Sequence, residues 1–280
     1  MSQSAAAAQV WLVTGSSTGI GWAVVGAALE AGHRVVAASR RIGDLEALKQ
    51  THGDALLPVH VDLTQPAQVE RMVARTVAAF QRIDVLVNSA GFRVDGALEE
   101  QSEAQIDEQV ALNLTGALKL TRSVLPHMRR QRFGRILLIS SLFGQMGAAG
   151  WSVYAATKWG VEGFAECLAV EVAHFGIHVT IVEPGSFRTE RRGVIEVQVQ
   201  IDEYAQTAGK ARLARLSRVG KQRGDPTRAA RVILKLAAAD HPPFRVALGT
   251  DSFPQVTQAM AKRLADLTAV ESLSRETDYE

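Results

Sequence analysis

A chain of 280 residues with 47% hydrophobic content can bury the core of one α/β domain, and a net charge of +2 is too small to make nucleic acid its main partner. The single cysteine, Cys167, excludes an intrachain disulfide and fits a reducing cytoplasm. No apolar run reaches the ~18 residues of a membrane span, and residues 1–8, which end in a frayed-looking alanine run, lack the basic start of a signal peptide.

The first element is the apolar run Val10-Trp11-Leu12-Val13, which reads as a buried strand. Thr14-Gly15-Ser16-Ser17-Thr18-Gly19-Ile20-Gly21 follows, and a helical pattern begins directly after it. Strand, glycine turn and helix form the context in which a loop cradles a pyrophosphate. Glycines let the backbone approach the phosphates, and a helix N-terminus supplies N–H donors and the positive end of a dipole. The spacing is G-x-x-x-G-x-G, and a tight turn without a ligand is the plainer alternative.

A second apolar run, 34–38, ends in Ser39-Arg40-Arg41 with no carboxylate. An acidic residue at the end of such a strand holds a ribose 2′-hydroxyl. Guanidinium groups instead pair with a 2′-phosphate. Ser39 followed by Arg40 therefore favours NADP(H) over NAD(H).

Further runs at 56–61, 85–88, 135–140, 178–182 and near 244–248 alternate with helical patterns. Those patterns cover 45–51, 66–80, 102–130, 151–175 and 226–239. Such alternation predicts a single domain over 1–280. It is a Rossmann-like, doubly wound parallel sheet of about seven strands, with helices on both faces and the ligand at the carboxyl ends of the strands.

The stretch 186–225 breaks the alternation, and a helical tail covers about 254–280. In 186–225 basic residues (Arg188, Arg191, Arg192, Lys210, Arg212, Arg215, Arg218, Lys221, Arg223) outnumber Glu190, Glu196, Asp202 and Glu203. Two readings stand side by side: a solvated helix face, or attraction for an anionic substrate or cofactor phosphates. With few apolar anchors and several glycines, this stretch is expected to be mobile without ligand.

Tyr154 and Lys158 stand four apart, thirteen residues after Ser141. That offset puts both side chains on one face of a helix. A neighbouring ammonium group favours the phenolate and makes the pair a proton-transfer device.

Together these elements resemble the short-chain dehydrogenase/reductase family from residue 9 to about 250. The resemblance rests on the 14–21 turn, Asn88-Ser89-Ala90-Gly91, Asn113, Ser141, Tyr154, Lys158 and Pro184-Gly185 with Thr189. One departure is Ser89, where the family usually has a second Asn. The resemblance implies hydride transfer between a nicotinamide and a carbonyl or secondary alcohol of a small apolar or cyclic substrate. Tyr154 would exchange the proton, Ser141 would hydrogen-bond the substrate oxygen, Lys158 would support Tyr154 and hold the nicotinamide ribose, and Asn113 would hold a water linked to Lys158. Gly15, Ser17, Gly19, Ile20 and Gly21 would cradle NADP(H), Asp62 would lie near the adenine, and Asn88, Ala90 and Gly91 would line the adjacent groove. Pro184, Gly185, Phe187 and Thr189 would surround the nicotinamide.

In the family the 186–225 region is a substrate lid, and the long helices around 102–130 and 151–175 pair two subunits. A homodimer, with a tetramer as the larger alternative, is therefore expected. Phe143, Met146, Trp151, Phe187 and Tyr204 are candidates for an apolar pocket. No metal site is expected, and His174 and His178 read as structural. Two alternatives to a free-carbonyl reductase remain: a reductase of thioester-linked ketoacyl groups, and a non-catalytic NADP(H) sensor on the same fold.

Overall fold

The structure is a computed structural model that describes residues 8–189 and 193–279. Glu190, Arg191 and Arg192 of the basic stretch, and the alanines at 5–7, lie outside the described residues. In chain order the strands are β1 (Val10–Thr14), β2 (Arg34–Ser39), β3 (Leu56–His60), β4 (Val85–Asn88), β5 (Arg93–Asp95), β6 (Gly134–Ile139), β7 (Ile177–Pro184), β8 (Val194–Glu196) and β9 (Arg245–Leu248). The helices are α1 (Gly19–Glu30), α2 (Glu46–His52), α3 (Pro66–Phe80), α4 (Glu103–Val110), α5 (Ala117–Gln131), α6 (Ser152–Val172), α7 (Lys210–Leu216), α8 (Pro226–Ala238), α9 (Ser252–Thr268) and α10 (Glu271–Arg275).

Seven strands form one parallel sheet in the order β3-β2-β1-β4-β6-β7-β9. The chain winds outward from β1 to β3, then returns and winds the other way from β4. The crevice between β1 and β4 is thus the switch point where an open α/β sheet binds its ligand. Both faces are covered, which is why the strands read as continuous apolar runs rather than alternating ones. On one face Met72, Leu120, Val124, Met128 and Leu168 pack against Leu86, Ile136 and Leu138. On the other, Val24, Ala28, Ala230 and Ile233 pack against Val13, Val35 and Val87. Leu86 is fully buried, so Leu86→Ala costs about 2–5 kcal/mol.

Two departures from the sequence reading matter for function. The predicted helix over 102–130 is interrupted at Ala111–Gly116 by one widened, π-helical turn. And β5 pairs in parallel with β8 in a small second sheet, which ties the supposed lid to the segment after Gly91. Among the described residues no helix is long and apolar enough to cross a membrane, and no cluster of possible metal ligands occurs.

The tail is anchored through a polar network. Arg263 of α9 bonds Gln145 Oε1 at 2.6 Å and covers the Trp159 ring at 4.7 Å. Gln145 donates to Glu162 Oε2 at 3.0 Å. Arg245 then pairs with both Glu162 and Glu183, each buried. Burial above all holds the Glu162 carboxyl above the usual range, against a hydrogen bond from Ser140; the charge of Glu183 raises it further. A carboxyl raised in the folded state stabilises the fold at low pH and loses that contribution as pH rises through its folded value. Arg245→Met leaves both carboxylates without their cation. It is expected to cost about 3–5 kcal/mol near neutrality, and less at pH 5 than at pH 8. Urea unfolding at both pH values checks this, and equal losses would remove Arg245 from the charge balance.

Candidate active site

The turn after β1 is built from contacts that only small residues permit. Gly15 has φ +64°, and a Cβ there would lie 2.8 Å from the backbone of Ala90. A Cβ on Gly21 would lie 2.4 Å from the carbonyl oxygen of Gly15, so the turn packs on itself. Thr14 Oγ1 accepts from the N–H groups of Ser89 at 3.2 Å and Ala90 at 3.3 Å, and donates to Asn88 Oδ1 at 3.2 Å. Asn88 Nδ2 in turn reaches the Ala117 carbonyl at 3.3 Å. These bonds lock the ends of β1 and β4 together, and Ser89 takes part in them through its backbone N–H, which any residue at that position supplies. Thr18 precedes α1 in extended conformation and makes no side-chain cap. The first N–H groups of α1 are therefore left for an anion.

Ser141, Tyr154 and Lys158 line one cavity of about 760 Å³ together with Gly15, Gly19 and Phe187. Ser141 follows β6, and its Oγ accepts from Phe143 N at 3.2 Å, so it caps the next turn while its own hydrogen stays available. Tyr154 lies in the first turn of α6 and is half-buried. Lys158 is buried one turn on; its Nζ donates to the Ile139 carbonyl at 2.8 Å and stands 5.7 Å from the Tyr154 ring centroid.

Asn113 does not line the cavity. Its Oδ1 accepts from Phe92 N at 2.9 Å, and its Nδ2 donates to Phe92 O at 2.7 Å and to Thr157 Oγ1 at 3.3 Å. Both amide hydrogens are thus used, and the side chain clamps the chain after Gly91. The widened turn of the helix puts it there. A Cβ on Gly91 would come within 3.0 Å of Asn113 Oδ1 and 3.8 Å of Lys158 Nζ, so this glycine lets the clamp and the lysine meet.

At the far end of the cavity, Ser39, Arg40 and Arg41 form the rim. Arg40 makes an exposed pair with Glu108 at 3.7 Å. Arg41, which the sequence reading did not single out, donates to Ser17 Oγ of the glycine turn at 3.3 Å and to Asp44 at 3.3 Å. Val61 and Leu63 line the cavity, but Asp62 between them does not. Its Oδ1 accepts from Thr64 N at 2.9 Å and Thr64 Oγ1 at 2.8 Å, which commits that oxygen to a local turn.

A family model described as short chain dehydrogenase matches residues 9–199. The chain belongs to the short chain dehydrogenase family. It is an oxidoreductase of that family. It is 37% identical over 246 residues to the oxidoreductase BOA17 of Botryotinia fuckeliana, covering 87% of this chain and 90% of that protein. A short-chain dehydrogenase from Streptomyces avermitilis has the same fold, with TM-score 0.92, 39% identity and coverage of 98% of this chain and 100% of that one. A metagenomic short-chain oxidoreductase solved in complex with NADP gives TM-score 0.69 at 29% identity, over 88% of this chain and 98% of that one.

In this member of the family the aromatic pocket is smaller than expected. Phe143, Trp151 and Phe187 line the cavity; Met146 and Tyr204 do not. The Tyr204 hydroxyl is turned outward and donates to Glu99 at 2.9 Å. Arg212 is buried and pairs with Glu100 at 3.7 Å, so it is neither a solvated face nor a cavity charge. Arg215 is mostly buried, pairs with Asp95 and lines the cavity. Val197 and Ala208 are also buried, so the segment has more anchors than its sequence suggested. Arg218, Lys221 and Arg223 also line the cavity, and are exposed.

Proposed function

We propose that this chain is an NADP(H)-dependent reductase of small apolar or cyclic carbonyl compounds, running in reverse as a secondary-alcohol dehydrogenase. The observation that carries this reading is the convergence of Ser141, Tyr154 and Lys158 in one cavity with the glycine turn. The residues fit a dinucleotide. The Gly15 and Gly21 positions would be filled by any side chain, and the first turn of α1 has uncapped N–H groups. When bound, NADP(H) supplies or takes the hydride at its nicotinamide. The chain does the rest. Tyr154 gives its proton to the oxygen that becomes an alkoxide. Ser141 stabilises that oxygen with its hydroxyl hydrogen. Lys158 provides the positive charge beside the phenol, and Asn113 holds Phe92 and Thr157 so that Gly91 can sit against Lys158. The rim of Arg40 and Arg41 supports NADP(H) over NAD(H), and the NADP-bound relative agrees with that choice.

NADPH oxidation with a panel of cyclic and aromatic ketones tests the reading. A protein that binds NADPH but turns over none of them would instead fit the sensor alternative. Gly21→Ala is expected to abolish NADPH binding, since the new methyl meets the Gly15 carbonyl. Cofactor fluorescence titration checks it, and a dissociation constant within about threefold of wild type would mean that the turn is not the phosphate cradle.

We also propose a two-fold homodimer through the outer face of α5 and α6, as Val170 on α6 is 80% exposed. Arg263 of α9 lies over the Trp159 ring and occupies part of that face, which supports a dimer over a tetramer. Light scattering at micromolar concentration is expected to give twice the chain mass; a monomer mass would end this proposal.

A further inference from the structure

We propose that Asp95 is a specificity-determining positioning residue, a buried carboxylate that joins the lid helix α7 to the aromatic wall of the substrate cavity and so sets the cavity's width. The functional half of this inference rests on the carbonyl-reductase reading above; the mechanical half does not.

Asp95 is the last residue of β5 and is 1% exposed. A buried carboxylate survives only where partners replace its water. Three partners do so, each from a different element. Arg93 Nε on β5 donates to Oδ1 at 3.2 Å. Trp151 Nε1, in the residue just before α6, donates to the same oxygen at 2.7 Å. Arg215 of α7 pairs with Oδ2. The Arg93 guanidinium also stacks over the Trp151 ring at 4.8 Å, so the indole is held both by its N–H and on its face.

That indole is part of the cavity wall. Trp151 meets Phe143 edge to face with centroids 4.3 Å apart, and Phe143 meets Tyr154 at 6.5 Å. Ala211, Ala214 and Arg215 of α7 line the same cavity. A substrate ring beside the proton donor would therefore be bounded by the aromatic wall and by α7. The cavity's width depends on where α7 sits relative to Trp151, and Asp95 contacts both. The neighbouring geometry is built for this closeness. A Cβ on Gly96 would lie 2.2 Å from Val197 Cγ1, so glycine next to Asp95 lets the residue that follows β8 approach. A second tie keeps α7 from sliding, because Arg212 pairs with Glu100, whose Oε1 accepts from Ile201 N at 2.9 Å.

If the carboxylate sets the width, breaking either side of it loosens lid and wall together. The test uses Asp95→Asn, Arg215→Met and the double variant in the full chain. Arg215→Met keeps a long apolar stem and leaves Asp95 its Arg93 and Trp151 partners, so it folds even if Asp95→Asn does not. Two readouts are taken. Hydrogen exchange without cofactor follows 193–222, and kcat and KM are measured for a compact and a bulky cyclic ketone with NADPH. Each single variant is expected to speed lid exchange at least about tenfold, a change of about 1.4 kcal/mol. KM for the compact ketone should rise more than kcat falls, and the preference for compact over bulky ketone should shrink by a similar factor. The double variant should add little to either single one, as expected for one shared interaction.

Wild-type exchange rates in the lid overturn the latch. Faster exchange with an unchanged ketone preference reduces Asp95 to a purely structural residue and overturns the specificity role. Fully additive effects overturn the coupling. If the wild-type protein reduces no ketone at all, the reductase reading fails, and lid exchange alone then decides whether Asp95 is the latch.

Discussion

Tyr154→Phe is expected to keep NADPH binding and lower kcat by about 10²–10⁴, the range for loss of a general acid. The phenol carries a transferable proton and lies beside a buried cation, Lys158 Nζ at 5.7 Å from its ring centroid. Phe preserves the ring that packs on Phe143, so the cavity wall survives and the effect isolates the hydroxyl. Lys158→Ala should do more than slow the reaction. It removes the bond to Ile139 O and opens a void behind Gly91, and NADPH binding should weaken as well. Stopped-flow turnover and fluorescence titration separate the two outcomes. Comparable kcat from wild type and Tyr154→Phe on the best ketone would remove Tyr154 from the chemistry.

The parts legible in the sequence were those whose signal is local. The glycine turn, the segment after β4, Ser141 and the Tyr154–Lys158 spacing each depend on neighbours within a few residues, and the fold brings Gly15, Gly19, Ala90, Gly91, Ser141, Tyr154 and Lys158 to one cavity, while Asn88 stands behind it and ties Thr14 to Ala117. What was not legible depends on partners far along the chain. Arg212 and Arg215 looked like surface charge because their carboxylates, Glu100 and Asp95, are more than a hundred residues away. The strands Arg93–Asp95 and Val194–Glu196 are three residues each, too short for a two-residue period to register. The widened turn at Asn113 keeps a helical pattern and so hides inside one. Asp62 was assigned by resemblance alone, and the fold commits its Oδ1 to a local turn with Thr64 that sequence spacing does not reveal. Arg41 lay in plain view next to Arg40, but only the fold brings it to Ser17.

That last contact sharpens the expected cofactor preference. Among the described residues Arg40 makes an exposed pair with Glu108, worth about 0–1 kcal/mol, so it can turn to a phosphate at little cost. Arg41 already bridges from the end of β2 to the glycine turn. A 2′-phosphate between them would meet two guanidinium groups and no carboxylate of its own strand. Each charge-assisted contact is worth about 1.5–3 kcal/mol, roughly ten- to a hundredfold in affinity. Arg40→Asp is therefore expected to weaken NADPH by at least that factor while leaving NADH bound, and so to reverse the preference. Arg41→Ser should weaken NADPH by a similar factor without helping NADH. The wild-type affinity for NADPH should also fall with salt more steeply than that for NADH, because exposed charges are screened within a Debye length of about 8–10 Å. Titrations of both cofactors at low and high salt decide the matter. Equal affinity of the wild-type protein for NADH and NADPH would overturn the role given to both arginines, whatever the catalytic residues do.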